Sequence, residues 1–118
     1  MPEETGQLTV VIHAYLAALR RQGIPTDRVY LFGSHARGDA RPDSDIDLIV
    51  VSSAFSGMPS WKRWEVLGDA LSEVFEPIEV RAYSPEEFDS RKGRRASFLG
   101  HILKQPEVVA FQPEAELP

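Results

Sequence analysis

Two short clusters in this chain combine residue types suited to chemistry. Gly33-Ser34 follows the apolar run Val29–Phe32, and Asp45-Ile46-Asp47 leads into the apolar run Leu48–Val51, with ten residues between Ser34 and Asp45. In an extended segment side chains alternate, so Asp45 and Asp47 point to one side and Ile46 to the other. Carboxylates held side by side repel and resist ionisation unless a cation sits between them. A hard cation such as Mg²⁺ suits them, because it is satisfied by one or two carboxylates, waters and a substrate's phosphates. Gly33 permits close approach of backbone to a ligand. Ser34 is placed to cap a one-turn helix, His35-Ala36-Arg37, that Gly38 ends. Free N–H groups at such a start, the Ser34 hydroxyl and the Arg37 guanidinium would together receive an anion.

Each cluster has a plain alternative. An acidic strand end is often only solvation or edge protection, and Gly-Ser is a common turn. Their conjunction between two apolar strands is what favours a site. Asp43, Asp45 and Asp47 mimic the start of an EF-hand loop, but Leu48 stands at its sixth position and Ala54 at its twelfth, where Gly and Glu belong. No P-loop, His-Glu-x-x-His or dinucleotide fingerprint is present.

The elements that must hold these residues are legible from period and punctuation. Leu8, Val11, Ile12, Tyr15, Leu16 and Leu19 recur at helical spacing before Gly23 and Pro25. Val29–Phe32 and Leu48–Val51 read as buried strands, the second with Asp45 and Asp47 at its leading end. A helix is expected from Pro59 to Phe75 with Trp64, Leu67, Leu71, Val74 and Phe75 on its apolar face, so that Trp64 belongs to the core and Trp61 stays partly exposed. Ile78–Tyr83 alternates as a third strand. Ser84-Pro85-Glu86-Glu87 opens a further helix with a capping box. Gly93 interrupts it, and Phe98, Leu99, Ile102 and Leu103 resume the period. A final strand covers Glu107–Phe111 and residues 112–118 form a frayed tail. Strands alternating with helices indicate an α/β or α+β sandwich, helices packed on a sheet, in one domain spanning 1–118 with its core over about 8–111.

Composition narrows the partners. With 42% hydrophobic and 26% charged residues the 118-residue chain is ordinary globular material. A net charge of −5 disfavours general nucleic-acid or membrane binding. There is no cysteine, no charged-then-apolar leader and no run long enough to span a bilayer, so a cytoplasmic location is expected. The basic run Arg91-Lys92-Gly93-Arg94-Arg95 is either a solvated helix end or a contact for a triphosphate, RNA or acidic partner. His35 reads as exposed, and neither His13 nor His101 has a second histidine at ligand spacing.

The signature Gly33-Ser34-His35-Ala36-Arg37-Gly38, then Ser44-Asp45-Ile46-Asp47-Leu48, resembles that of the DNA polymerase β-type nucleotidyltransferase superfamily and is close to its minimal nucleotidyltransferase (MNT) branch. The resemblance is dense over Val29–Val51 and extends by element order to Phe111. It implies a small mixed sheet with helices on it, and transfer of a nucleoside monophosphate, with ATP the expected donor. Gly33, Ser34 and Arg37 would bind the triphosphate, and Asp45, Asp47 and a third carboxylate would hold two Mg²⁺ ions. Where the family generally has Asp in the third strand, this chain has Glu79, its extra methylene altering the reach to a metal. The competing reading pairs Glu79 with Arg81 on a solvated face. Proteins of this branch commonly act as antitoxins beside a HEPN ribonuclease, which they can modify with AMP. That implies a HEPN-type partner, or alternatively a weakly catalytic or silent nucleotide-binding subunit acting by complex formation. The chain has no extra acceptor-holding domain in view, and self-association stays open.

Overall fold

The computed structural model describes residues 2–94 and 96–111; Arg95 of the basic run and the expected tail 112–118 lie outside the described residues. Helix α1 (Pro2–Arg21) leads into strand β1 (Arg28–Phe32) and the single turn α2 (Ser34–Arg37). Strand β2 (Ile46–Val51) is followed by a short 3-10 turn (Ser53–Phe55) and helix α3 (Ser60–Val74). Strand β3 (Ile78–Tyr83), helices α4 (Pro85–Lys92) and α5 (Phe98–Leu103), and strand β4 (Val109–Phe111) complete the order. The chain thus builds the mixed sheet with helices on it that its sequence implied.

The sheet runs β3-β2-β1-β4. β1 pairs antiparallel with both β2 and β4, while β2 and β3 are parallel. A parallel pair cannot be closed by a hairpin, and α3 is the crossover that makes it. β2 lies inside the sheet, and Leu48, Ile49, Val50 and Val51 are fully buried, which is why it reads as a continuous apolar run.

Each sheet face buries its own cluster. Val29, Leu31, Ile46, Leu48, Val50 and Ile78 meet Ile12, Tyr15, Leu16 and Leu19 of α1 and Val66, Leu67 and Ala70 of α3. On the opposite face Phe32, Ile49, Val51 and Tyr83 pack with Phe88 of α4 and Leu99 and Ile102 of α5. The strands' period of two sorts their residues between these clusters. Asp47 is the one charged residue in β2, and it belongs to the α4–α5 face.

Local signals hold for α4: Ser84 accepts from the Glu87 amide at 3.1 Å and the Glu87 carboxylate accepts from the Ser84 amide at 2.9 Å. Helix α3 corrects the sequence reading. Its buried residues are Val66, Leu67 and Ala70, whereas Trp64 is 69% exposed and Phe75, in the left-handed region at φ 60°, is 87% exposed. Val66, Leu67 and Ala70 turn to the core, Leu71 and Val74 pack against its border, and Trp64 stands at the flank. The part-buried Arg63 ties this region together. It donates to Phe55 O at 2.8 Å and bidentately to Glu87 at 2.8 and 2.9 Å. Its guanidinium joins the 3-10 turn, α3 and α4.

Candidate active site

The site grows from the junction of β1 and α2. Gly33 adopts φ 79°, ψ −157°, a region essentially closed to other residues. A Cβ built there would come within 2.1 Å of Asp47 Oδ2 and 3.0 Å of its Cγ. Glycine is therefore required twice, for the turn and because the Asp47 carboxylate occupies the space a side chain would need. The cap position of α2 is Gly33 and not the expected Ser34, because the turn begins one residue earlier. Ala36 and Arg37 donate to Gly33 O, both at 3.0 Å. Gly38 ends the turn in the left-handed region at φ 86°, as its position implied.

Ladder register brings the carboxylates together. Phe32 of β1 lies opposite Asp47 of β2, and Asp47 opposite Glu79 of β3. The Ile46 amide donates to Pro77 O at 2.8 Å, fixing the starts of β2 and β3 side by side. Asp45 lies just before β2, exposed, at the end of a turn in which Arg41 N donates to Ser44 Oγ at 2.8 Å. Glu79, exposed on the edge strand, comes within hydrogen-bonding reach of Asp47.

The Asp47 carboxyl is held above the ordinary carboxylate range. Partial burial contributes most, followed by the charges of Glu79 and Asp45 and the contact with Glu79, while His35 opposes them. Negative charge has been collected here without a resident counter-charge strong enough to offset it. His35 is half-buried, with Nε2 3.3 Å from Ser44 O. The sequence reading placed it in solvent; the 39–45 loop folding back over α2 covers it. Its nearness to Asp47 depends on that loop and has no signature in spacing.

Arg37 does not join the carboxylates. Its Nε lies 3.3 Å from Asp39 Oδ2 at the exposed end of α2. Glu79 and Arg81 share a face but form no ion pair among the described residues; the Arg81 guanidinium lies 4.0 Å from the centre of the Phe98 ring. A groove of about 490 Å³ along β3 and α3 includes Glu79 but none of Gly33, Ser34, Asp45 or Asp47.

Whether the donor set suits a metal follows from this arrangement. Among the described residues no group of three or more acidic, histidine or cysteine side chains is placed to hold a metal ion by itself. Asp47 and Glu79, neighbours across the β2–β3 ladder, with Asp45 adding its charge, are suited to a hard divalent cation that takes its remaining ligands from water and phosphate.

The description "nucleotidyltransferase domain" matches residues 14–108, a span that contains Gly33, Ser34, Asp45, Asp47 and Glu79. The chain belongs to the nucleotidyltransferase domain family. A crystal structure of a candidate nucleotidyltransferase from Sulfolobus solfataricus has a similar fold, with a TM-score of 0.62 and 19% identity over 92% of this chain and 83% of that one. A more partial likeness, TM-score 0.45 with 27% identity over 59% of this chain and 56% of that one, is to a toxin–antitoxin structure solved with AMP-PNP. No curated protein matches the chain. Among the described residues of this nucleotidyltransferase domain, no helix is long and apolar enough to cross a membrane.

Proposed function

We propose that this nucleotidyltransferase domain transfers AMP from ATP, with Mg²⁺, to an acceptor hydroxyl on a partner protein. The observation that carries the reading is Asp47, seated against Gly33 with no space for a side chain and in register with Glu79. Asp45, Asp47 and Glu79 are the groups that would hold two Mg²⁺ ions, and Gly33, Ser34 and Arg37 the groups that would bind the triphosphate. Bound Mg²⁺ supplies charge neutralisation, acceptor activation and stabilisation of the departing pyrophosphate.

The chain's own part is positional. Gly33 brings its backbone to the carboxylate without an intervening side chain, so a phosphate and Asp47 can approach one point. β2 is buried behind Asp47 and fixes its backbone, which in-line displacement requires. Glu79 reaches Asp47 from the edge strand, where its longer side chain spans the separation between strands. Arg37 would have to leave Asp39 to reach a phosphate, a small loss for an exposed pair.

By resemblance to the MNT branch, the acceptor is a HEPN-type ribonuclease and the role is that of an antitoxin; a single domain and a cytoplasmic location complete the proposal. A second reading, a nucleotide-binding antitoxin that acts by complex formation alone, draws on the absence, among the described residues, of three or more acidic, histidine or cysteine side chains placed to hold a metal ion.

Incubation with α-labelled ATP, Mg²⁺ and the neighbouring gene product separates the readings. The catalytic reading expects the partner to gain the mass of AMP with wild-type protein and not with Asp47→Asn. Glu79→Asp should retain transfer and Glu79→Gln should lose most of it. No gain of mass, with full neutralisation of the partner by the Asp45→Asn/Asp47→Asn variant, leaves only the complex-forming role.

A further inference from the structure

Strand β3 is an edge with a particular charge pattern. Pro77 O accepts from Ile46 N at 2.8 Å and Tyr83 O from Ser52 N at 3.0 Å. Odd-numbered residues of β3 therefore direct their amides at β2, and Ile78, Val80 and Ala82 direct theirs away from the sheet. Ala82 O already shows that direction, since Arg63 Nη1 approaches it at 3.5 Å. The side chains between them, Glu79 and Arg81, are exposed and not paired with each other.

From this edge we infer that β3 is a self-pairing strand and that its occupant is a second copy of the chain, joined antiparallel about Val80. The outward amides set this register. Val80 faces Val80 in a hydrogen-bonded pair, and Ile78 faces Ala82, whose carbonyl already carries the 3.5 Å approach of Arg63 Nη1. Glu79 then stands directly opposite the second copy's Arg81 in the closer, non-bonded pair, once on each side of the two-fold axis. Sliding by two residues sets Arg81 against Arg81 or Glu79 against Glu79. Opposite charges meet only in the central register.

Helix α3 extends the surface on the other sheet face. Trp61, Trp64 and Gly68 recur at three and four along α3 and stay outside the core, which takes Val66, Leu67 and Ala70 with Leu71 packed partly against it. Trp61 and Trp64 are 68% and 69% exposed. Gly68 weakens the helix interior while a Cβ there would meet nothing within 4 Å. Both facts fit a helix that packs closely on its symmetry mate, beside the groove lined by Trp64, Leu71, Val80 and Ala82. A helix from another protein would cover this stripe and leave the outward amides of Ile78 and Val80 without partners.

Multi-angle light scattering and sedimentation velocity test this on the intact chain without nucleotide, so the outcome is independent of transfer activity. The expected species is twice the 13.2 kDa chain mass. Arg81→Glu and Glu79→Arg should each weaken dimerisation about tenfold or more, and the double swap should restore it. Trp61 and Trp64 are the only two tryptophans, so wild-type fluorescence should shift to the blue with concentration. A wild-type monomer at near-millimolar concentration with no such shift would overturn the inference. So would a dimer indifferent to both reversals, or one formed only with a different protein.

Discussion

Replacing Gly33 with alanine probes the site through its backbone. The residue sits at φ 79°, ψ −157°, and holding a side chain there costs about 1–3 kcal/mol. The new Cβ would also lie 2.1 Å from Asp47 Oδ2, 3.0 Å from Cγ and 3.3 Å from Cβ of the same residue. Rotating the carboxylate away relieves the first contact but not the last, so β2 and α2 must separate slightly, an overpacking cost of about 1–3 kcal/mol. Together these give about 2–6 kcal/mol. Gly38→Ala is the control. It too has positive φ, at 86°, but nothing lies within 4 Å of its Cβ, so about 1 kcal/mol is expected. Urea denaturation of both variants gives the comparison, and titration of Mg²⁺-ATP into each should show binding lost in Gly33→Ala and retained in Gly38→Ala. Adding Asp47→Ala to Gly33→Ala should recover at least 1 kcal/mol, roughly, as coupling between contacting residues. If Gly33→Ala costs no more than Gly38→Ala, the close seating of Asp47 on Gly33 is not what demands glycine.

Asp47 makes metal-free stability depend on pH. Its carboxyl is held above the ordinary range by burial and by Glu79 and Asp45, so from that range up to its folded value the folded state binds more protons than the unfolded one. Stability should fall as pH rises through that window, Asp47→Asn should flatten the slope, and a thermal melt series in chelator reads both. Glu87 has the opposite sign. The hydrogen bond from Arg63, with help from the Ser84 amide and the charges of Arg63 and Arg91, holds it below the ordinary range despite partial burial. Its contribution is present above the unfolded value and lost as pH falls through the folded one, a trend that Glu87→Gln should remove. Arg63→Met leaves Phe55 O and Glu87 short of a donor and should cost about 1–3 kcal/mol by denaturant titration.

Much of the fold is local enough to be legible in one dimension. β3 was expected at Ile78–Tyr83 and occupies those residues. The capping box at Ser84–Glu87 and the glycine stop at Gly38 formed where their residue types demanded. Errors arose where a helix could rotate. Spacing places Trp64, Leu67, Leu71, Val74 and Phe75 on one apolar face of α3, and hydropathy favours the larger residues. Packing kept Leu67 in the core with Leu71 and Val74 against it, added Val66 and Ala70, and left Trp64 and Phe75 outside. Arg63 escaped notice for a related reason: its partners Phe55, Ala82 and Glu87 are brought around it only by the crossover.

The same division runs through the candidate site. Spacing alone put Gly33, Ser34, Asp45 and Asp47 in one constellation, because a strand, a turn and a strand are short-range structures and the Asp-x-Asp alternation is intrinsic to an extended chain. Sequence also identified Glu79 as the one carboxylate in its strand. Whether Glu79 turned to Arg81 beside it or to Asp47 across the ladder depended on the β2–β3 register, which a crossover of more than twenty residues sets. Tertiary structure decided for Asp47, sent Arg81 onto Phe98, and folded the 39–45 loop so that His35 faces the carboxylates. Residue types and near-neighbour spacing carry what each group can do. Which groups meet is settled by the packing of distant segments, and a linear pattern holds no distances between those.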